Sequence, residues 1–479
     1  MQEICGDKLD KVREECGIFG VKLHTEEAAG ITYNALCALQ HRGQEGAGIA
    51  VLRGGTILYH KNTGLVSEVF NNAVLSRLPL AKTGIGHVRY STTGTNSKQN
   101  TQPMVTEYLT GRLATAHNGN IVNAGEIKEK LVSHGCAFSA TNDSEVISSL
   151  IAYETLGTDA IEDAVARAAA QLKGAFSLVI LSSQNKLIAV RDGWGFRPLC
   201  LGKNANGWAV ASESCALDSA GFEFVRDVRP GEMVIFGDGE PESRMILRQE
   251  RKGLCIFEYV YFARQDSIID GLSVYQARFN MGVKLAEEYP VDADVVCGVP
   301  DSGLEAAMGY AWKSGLPFVS GFVKNRYIGR SFIFPSQTQR DAAVRLKLNP
   351  LRANVEGKRI VLVDDSIVRG TTSAKTIRSL KMAGAKEVHF LISSPPFTHS
   401  CHFGTDIDSE ENLIANYKTI PEIRDFIGAD SLGYISIDGL REACSACGLP
   451  LCTGCFSGDY PIRIGRHSKA QFEACPKAE

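Results

Sequence analysis

RIVLVDDSIVRGTTS, residues 359–373, decides how the C-terminal half is read. Residues 359–363 are mostly apolar and β-branched, which suits a strand buried on both faces of a sheet. Asp364 and Asp365 arrive together where that strand would end. Arg369-Gly370-Thr371-Thr372-Ser373 follows, and Ala374, Ile377 and Leu380 then fall on one face of a helix. Strand, turn and helix N-terminus together make an anion site: turn N–H groups and Thr hydroxyls cradle a phosphate, and the helix dipole adds attraction. Two carboxylates just upstream suit ribose hydroxyls or a magnesium ion. The plainer alternative is a strand ending in solvated acids before a Thr-capped helix.

VLVDDSIVRGTTS resembles the phosphoribosyl pyrophosphate (PRPP) motif of the type I phosphoribosyltransferases. Its long form, with IVRGTTS after the two acids, is similar to that of the amidophosphoribosyltransferase family. The resemblance implies that Asp364 and Asp365 hold the ribose hydroxyls and magnesium. It gives the sugar phosphate to Arg369, Gly370, Thr371, Thr372 and Ser373.

The totals bound the rest. A chain of 479 residues is too long for one ordinary domain, so two are expected. The net charge of −3 gives no electrostatic support for nucleic-acid binding. No apolar run reaches the ~18 residues of a membrane helix. Residues 1–15 are polar and mixed in charge, unlike a secretory signal or transit peptide, and the expected location is cytoplasmic.

Upstream, Cys16 opens the run CGIFGV. Then come HRGQEGAGIAV (41–51), GHVRYSTTG (86–94), AHNGNIVN (116–123) and NDSEV (142–146), each a polar or glycine-rich knot at a strand or helix end. Taken singly, each has a bland reading: Arg89 as a surface ion pair, Asp143 as a helix N-cap, Asn118-Gly119 as a hairpin turn. Taken together, the series resembles the glutaminase domain of the N-terminal-nucleophile amidotransferases. That resemblance implies Cys16 as nucleophile and Arg89 and Asp143 on the α-carboxylate and α-ammonium of glutamine. Asn118 and the Gly119 N–H would form the oxyanion hole. Arg42 joins the glutamine-side set, with Gln44, as a loop-ordering residue. The family's general base is the nucleophile's own α-amine, which requires Cys16 to be the first residue of the mature chain; residues 1–15 are therefore expected to be a propeptide.

Strands at 174–183, 186–192 and 208–214, with helices at 32–40, 124–134, 144–156 and 159–172, suggest a four-layer αββα sandwich over 16–246. A charged linker near 247–253 separates it from an α/β phosphoribosyltransferase domain with a parallel sheet, 254–461. A tail, 462–479, follows. The apolar, aromatic LCIFEYVYF (254–262) is expected at the domain junction. The loop DADVVCGVPDSG (292–303) resembles the family's pyrophosphate loop, with Ser302 as a metal or pyrophosphate contact. The basic, aromatic stretch 324–340 resembles a lid over PRPP, with Arg326 and Arg330 as phosphate clamps.

Of 14 cysteines, Cys444, Cys447, Cys452 and Cys455 cluster late in the chain, a spacing open to zinc. The resemblance implies instead a [4Fe–4S] cluster on Cys255, Cys401, Cys452 and Cys455. The implied reaction makes 5-phosphoribosylamine, glutamate and pyrophosphate from glutamine, PRPP and water. An apolar ammonia channel is implied with it, with Tyr90, Phe257 and Ile333 as lining residues. Feedback by purine nucleotides and a homotetramer are implied by the family alone. A hexosamine-phosphate synthase would lack the 359–373 motif. A salvage phosphoribosyltransferase would lack the glutaminase half, and a PRPP sensor would have no use for Cys16, Arg89, Asn118 and Asp143 together.

Overall fold

The computed structural model describes residues 16–90, 97–325, 348–405, 407 and 409–462. The expected propeptide, Arg326, Arg330, Ile333 and the tail from 463 lie outside the described residues.

Two antiparallel sheets face each other in the first half. Among the described residues one has seven strands, the other six. Gly17–Leu23 runs inside the first, between Gly207–Ala211 and Thr83–Arg89. Gly111–Ile121 and Gly174–Ser182 are neighbouring inner strands of the second. The period-2 alternation of each strand sends side chains to opposite faces, so two packed sheets need three cores. Ile18 joins Ala114, Val179 and Leu187 between the sheets. Phe19 and Val21 instead pack outward on the Ala28–Ala38 helix. Phe176, Leu178 and Ile180 face three helices on the far side: Ala124–Ser133, Asp143–Glu154 and Ile161–Gln171. That is the expected αββα order.

One helix boundary shifts, and two of the bland alternatives do not hold. The helix read at 159–172 starts at Ile161 with Ala160 as N-cap, so Asp159 stands outside it. Asn142, not Asp143, caps the next-door helix, accepting from the Glu145 N–H at 3.0 Å. Asn118 and Gly119 sit mid-strand, paired with Ser177 and Phe176, and form no hairpin.

The second half is built on a four-stranded, all-parallel sheet: Val295–Gly298, Arg359–Asp364, Glu387–Ile392 and Ser431–Tyr434. Its motif strand is covered on both faces, as its composition requires. Ile360 and Leu362 join one core, Val361 and Val363 the other. Each such side chain contributes about 1.5–3 kcal/mol on full burial. The second of these cores does not stop at the domain boundary. It takes in Ala175 and Phe196 from the first half together with Leu254, Ile256, Phe257 and Tyr259, all essentially inaccessible. The 254–262 stretch is thus the junction, a short strand followed by a π-helical turn at Glu258–Phe262. Leu254 and Cys255 pair in parallel with Leu451 and Cys452 near the other end of the chain.

Candidate active sites

Cys16 stands just before the Gly17–Leu23 strand and is 9% exposed. Its thiol donates to the Tyr90 carbonyl at 3.5 Å. Gly17 is in register with Val88, so Cys16 falls at the level of Arg89 on the neighbouring strand. Burial pulls the Arg89 pKa down, and Cys16, Glu45 and Asp143 are the charges that oppose it. Arg89 and Asp143 are both buried, and the structure brings them together with the thiol.

Asp143 begins its helix, but its carboxylate is turned to the strand carrying Asn118. Ile121 N–H donates to Asp143 Oδ2 at 3.1 Å. Asn118 is 1% exposed, and its buried Nδ2 has no hydrogen-bond partner among the described residues. A buried donor without an acceptor is costly, about 1–3 kcal/mol, and is the kind of group that waits for an oxyanion. Gly119 has φ +137°, and a Cβ there would lie 2.1 Å from the Ala175 carbonyl oxygen. Only glycine permits this backbone.

Arg42 departs from the glutamine-side assignment. Its side chain is fully buried. Nε–H donates to the Cys16 carbonyl at 3.1 Å, Nη1 to Glu213 at 2.5 Å and to Glu258 at 2.9 Å, and Nη2 to Glu258 at 2.9 Å. A guanidinium engaged by two carboxylates orders the Cys16 backbone and is not turned toward a ligand carboxylate.

In the second half, Asp364 ends its strand and Asp365 follows, both almost completely buried. Asp365 N–H donates to Asp364 Oδ1 at 2.9 Å. Asp365 accepts from Ser366 Oγ at 2.5 Å and also from Ser302 Oγ, which joins the 299–303 loop to the motif. Lys324 pairs with Asp301 on the same loop. Gly370, at φ +82°, is the N-cap of the Thr371–Met382 helix. A Cβ on Gly370 would meet Ile414, Phe426 and Ile427 at 3.1–3.3 Å. The turn therefore delivers the first N–H groups of a twelve-residue helix, with Thr371 exposed, Thr372 half-buried and Ser373 buried, beside the two carboxylates.

The six cysteines in question separate into two groups. Cys255 is the register partner of Cys452. The Cys455 carbonyl accepts from the N–H groups of Thr398 and His399, both at 3.1 Å, and the Cys401 thiol accepts from Phe403 N–H at 3.4 Å. Burial pushes the Cys452 thiol up to about 12, with Cys401 adding to the rise. Burial also raises Cys455 well above the usual range, with Cys255, Cys401 and Cys452 adding to it. Four thiols from three chain segments thus share one buried region. Cys444 and Cys447 couple to each other, and Cys447 to Tyr259. Among the described residues no three His, Cys, Asp or Glu side chains are placed to hold a single metal ion.

A buried cysteine beside an oxyanion-type strand, joined to a helix-terminal phosphate cradle, defines a glutamine amidotransferase fused to a phosphoribosyltransferase. Comparisons with known proteins agree. Residues 87–219 match a family described as glutamine amidotransferase domain, and 271–395 one described as phosphoribosyl transferase domain. The chain is 48% identical to the amidophosphoribosyltransferase of Archaeoglobus fulgidus, over 94% of this chain and 98% of the relative. It is 46% identical to that of Bacillus subtilis, over 95% and 96%. The solved B. subtilis glutamine PRPP amidotransferase, complexed with ADP and GMP, superposes with a TM-score of 0.87 at 45% identity, covering 94% of this chain and 98% of that one. The chain belongs to the amidophosphoribosyltransferase family, whose reaction opens purine biosynthesis. No helix among the described residues is long and apolar enough to cross a membrane.

Sequence reasoning missed Glu213, Glu258 and Arg197. Their signal was a charge inside an apolar run, as in LCIFEYVYF and GFRPLC. A buried charge must have a partner.

Proposed function

We propose that this chain transfers ammonia from glutamine to PRPP by the following division of labour. Arg89 binds the glutamine α-carboxylate and Asp143 its α-ammonium. Cys16 Sγ attacks the side-chain amide carbon. The α-amine of Cys16, freed by removal of residues 1–15, takes the thiol proton and returns it to the leaving nitrogen. Asn118 Nδ2 and the Gly119 N–H receive the developing oxyanion. Ammonia departs, and water later cleaves the thioester to glutamate. Ammonia then passes along the apolar junction that includes Tyr90 and Phe257, where it stays unprotonated. At the second site the sugar phosphate sits on Arg369, Gly370, Thr371, Thr372 and Ser373. Asp364 and Asp365 hold the ribose hydroxyls, and Arg326 and Arg330 cover the pyrophosphate. Ammonia attacks C1 of the sugar as the C1–O bond to pyrophosphate breaks. The observation that carries this reading is the convergence of Cys16, Arg89 and Asp143.

Asp364, Asp365 and Ser302 are the residues that would hold magnesium, whose charge neutralises the departing pyrophosphate. An all-thiolate, buried donor set on Cys255, Cys401, Cys452 and Cys455 suits a [4Fe–4S] cluster of structural role, which spreads its ligands wider than a single ion does. By family analogy the enzyme is a cytoplasmic homotetramer under purine-nucleotide feedback; the ADP and GMP in the B. subtilis relative support the last point.

The test is glutamate release from glutamine by anaerobically purified protein, with and without PRPP and magnesium. Strong stimulation by PRPP supports coupled sites. No release from a chain shown by mass spectrometry to begin at Cys16 overturns the reading. Iron and acid-labile sulfide in equal, four-per-chain amounts support the cluster; a colourless, fully active zinc protein rejects it.

A further inference from the structure

The glutaminase site is not finished within its own domain. Arg42 reaches the Cys16 carbonyl with one N–H and spends two of its other donors on Glu258, from the far side of the linker. Glu258 has no accessible surface and also accepts from Arg197 Nη1 at 3.3 Å. Arg197 Nη2 in turn donates to the Phe403 carbonyl at 2.7 Å. The charges balance, with Arg42 and Arg197 against Glu213 and Glu258. Glu213 is itself fixed by His41 at 2.8 Å, Arg264 N–H at 2.9 Å and Ser267 Oγ at 2.7 Å.

The same junction braces the oxyanion strand. Asn120 Nδ2 donates to the His402 carbonyl at 2.8 Å. Gly404 approaches so closely that a Cβ there would lie 2.9 Å from Arg197 Nη2 and 3.3 Å from Gly119 Cα. So the nucleophile's carbonyl and the strand of the oxyanion hole both rest on residues of the transferase domain.

We propose that Glu258 is a positioning residue for the glutaminase half-reaction, supplied in cis by the transferase domain. The role rests on the function proposed above, and it follows from what cleavage before Cys16 would do. A terminal residue loses its chain tether on one side and frays unless held. Here the holding group on the carbonyl side is Arg42, and Arg42 is aimed by Glu258. A few tenths of an ångström at Cys16 moves its thiol and its own amine together, away from the amide carbon and from Asn118.

The experiment compares wild type, Glu258→Gln and Glu258→Asp as full-length, cleaved enzyme. Three quantities are read: glutamine-dependent kcat and KM, the rate of covalent labelling of Cys16 by a diazoketone analogue of glutamine (intact mass), and PRPP turnover with ammonium salt in place of glutamine. For Glu258→Gln the expected result is a kcat and labelling rate lower by about tenfold to a hundredfold, from misplacement alone. KM for glutamine and the ammonia-dependent rate should stay within about twofold, since neither uses Arg42. Glu258→Asp, which keeps the charge but shortens the reach, should fall between. It also decides the matter if Glu258→Gln does not fold. Wild-type labelling in either folded variant, or equal loss of the glutamine and ammonia rates, overturns the proposal. Absence of ammonia-dependent turnover in the wild type would instead refute the function on which it rests.

Discussion

The two sites are built on opposite plans. In the glutaminase site Cys16, Arg89, Asn118 and Asp143 are all buried and set on strands and a helix start, and their neighbours Arg42 and Asn120 make bonds that cross the domain boundary. The transferase site is a rim. Thr371 is exposed, Ser302 and Thr372 half-buried, and the cradle is backbone at a helix terminus; the two aspartates and Ser373 are sunk. The difference follows from the substrates. A glutamine amide is neutral at the reacting atom, so the protein must supply dry, oriented dipoles. PRPP brings its own charge, so open N–H groups, hydroxyls and carboxylates suffice to seat it.

Substitutions can break this contrast from either side. The largest effect is expected from Cys16→Ala, which should lower glutamine-dependent turnover by more than about a thousandfold while ammonia-dependent turnover survives. A parallel fall in both rates would show that the sites are not separable. Asp365→Asn removes the acceptor shared by Ser302 and Ser366. It should cut both the glutamine and the ammonia rates by about a hundredfold, with glutamate release in the absence of PRPP unchanged. Arg89→Lys loses the bidentate fork and should raise the glutamine KM by about tenfold, with little change in the ammonia rate.

The smallest expected effect sharpens the contrast in burial itself. His87 is wholly buried behind the glutaminase site, and Nε2 lies 3.1 Å from the His117 carbonyl. Burial, with Arg89 next in effect, lowers its pKa to about 3. The unfolded chain then binds a proton below about pH 6.5 that the folded chain refuses. Stability is therefore lost as pH falls from about 6.5 toward 3, by on the order of 2 kcal/mol at pH 5 for this residue alone. Thermal unfolding followed between pH 7 and 5 should show a shallower decline in His87→Gln; an unchanged slope would mean that the ring is protonated in the fold.

How much of this was legible depended on the range of the forces involved. The 359–373 stretch could be read because strand, turn and helix are local, and each leaves a period in the sequence. Short motifs pointed to Cys16, Arg89 and Asp143, which the fold brings together, while the bland alternatives of a cap at Asp143 and a turn at Asn118-Gly119 do not hold. Arg42 was placed in the right region with a blurred role. Its carboxylate partners lie 171 and 216 residues further on, and no window of sequence shows such a pairing. The cysteines illustrate the same limit: spacing linked Cys452 to Cys444 and Cys447, whereas the fold sets it beside Cys255.

That pairing of Leu254–Cys255 with Leu451–Cys452 also orders events in time. A ribosome that has just released Cys255 must add about 200 more residues before its partner strand exists, roughly ten to forty seconds at ~5–20 residues per second. Throughout that interval the newborn chain carries a finished sandwich whose seam is open, with the aromatic stretch 254–262 lacking its mate. The nascent protein is thus most exposed to mispairing at the place where its two chemistries will later meet, and a ribosome that stalls late in the message leaves a chain that is nearly complete in length yet lacks its clasp.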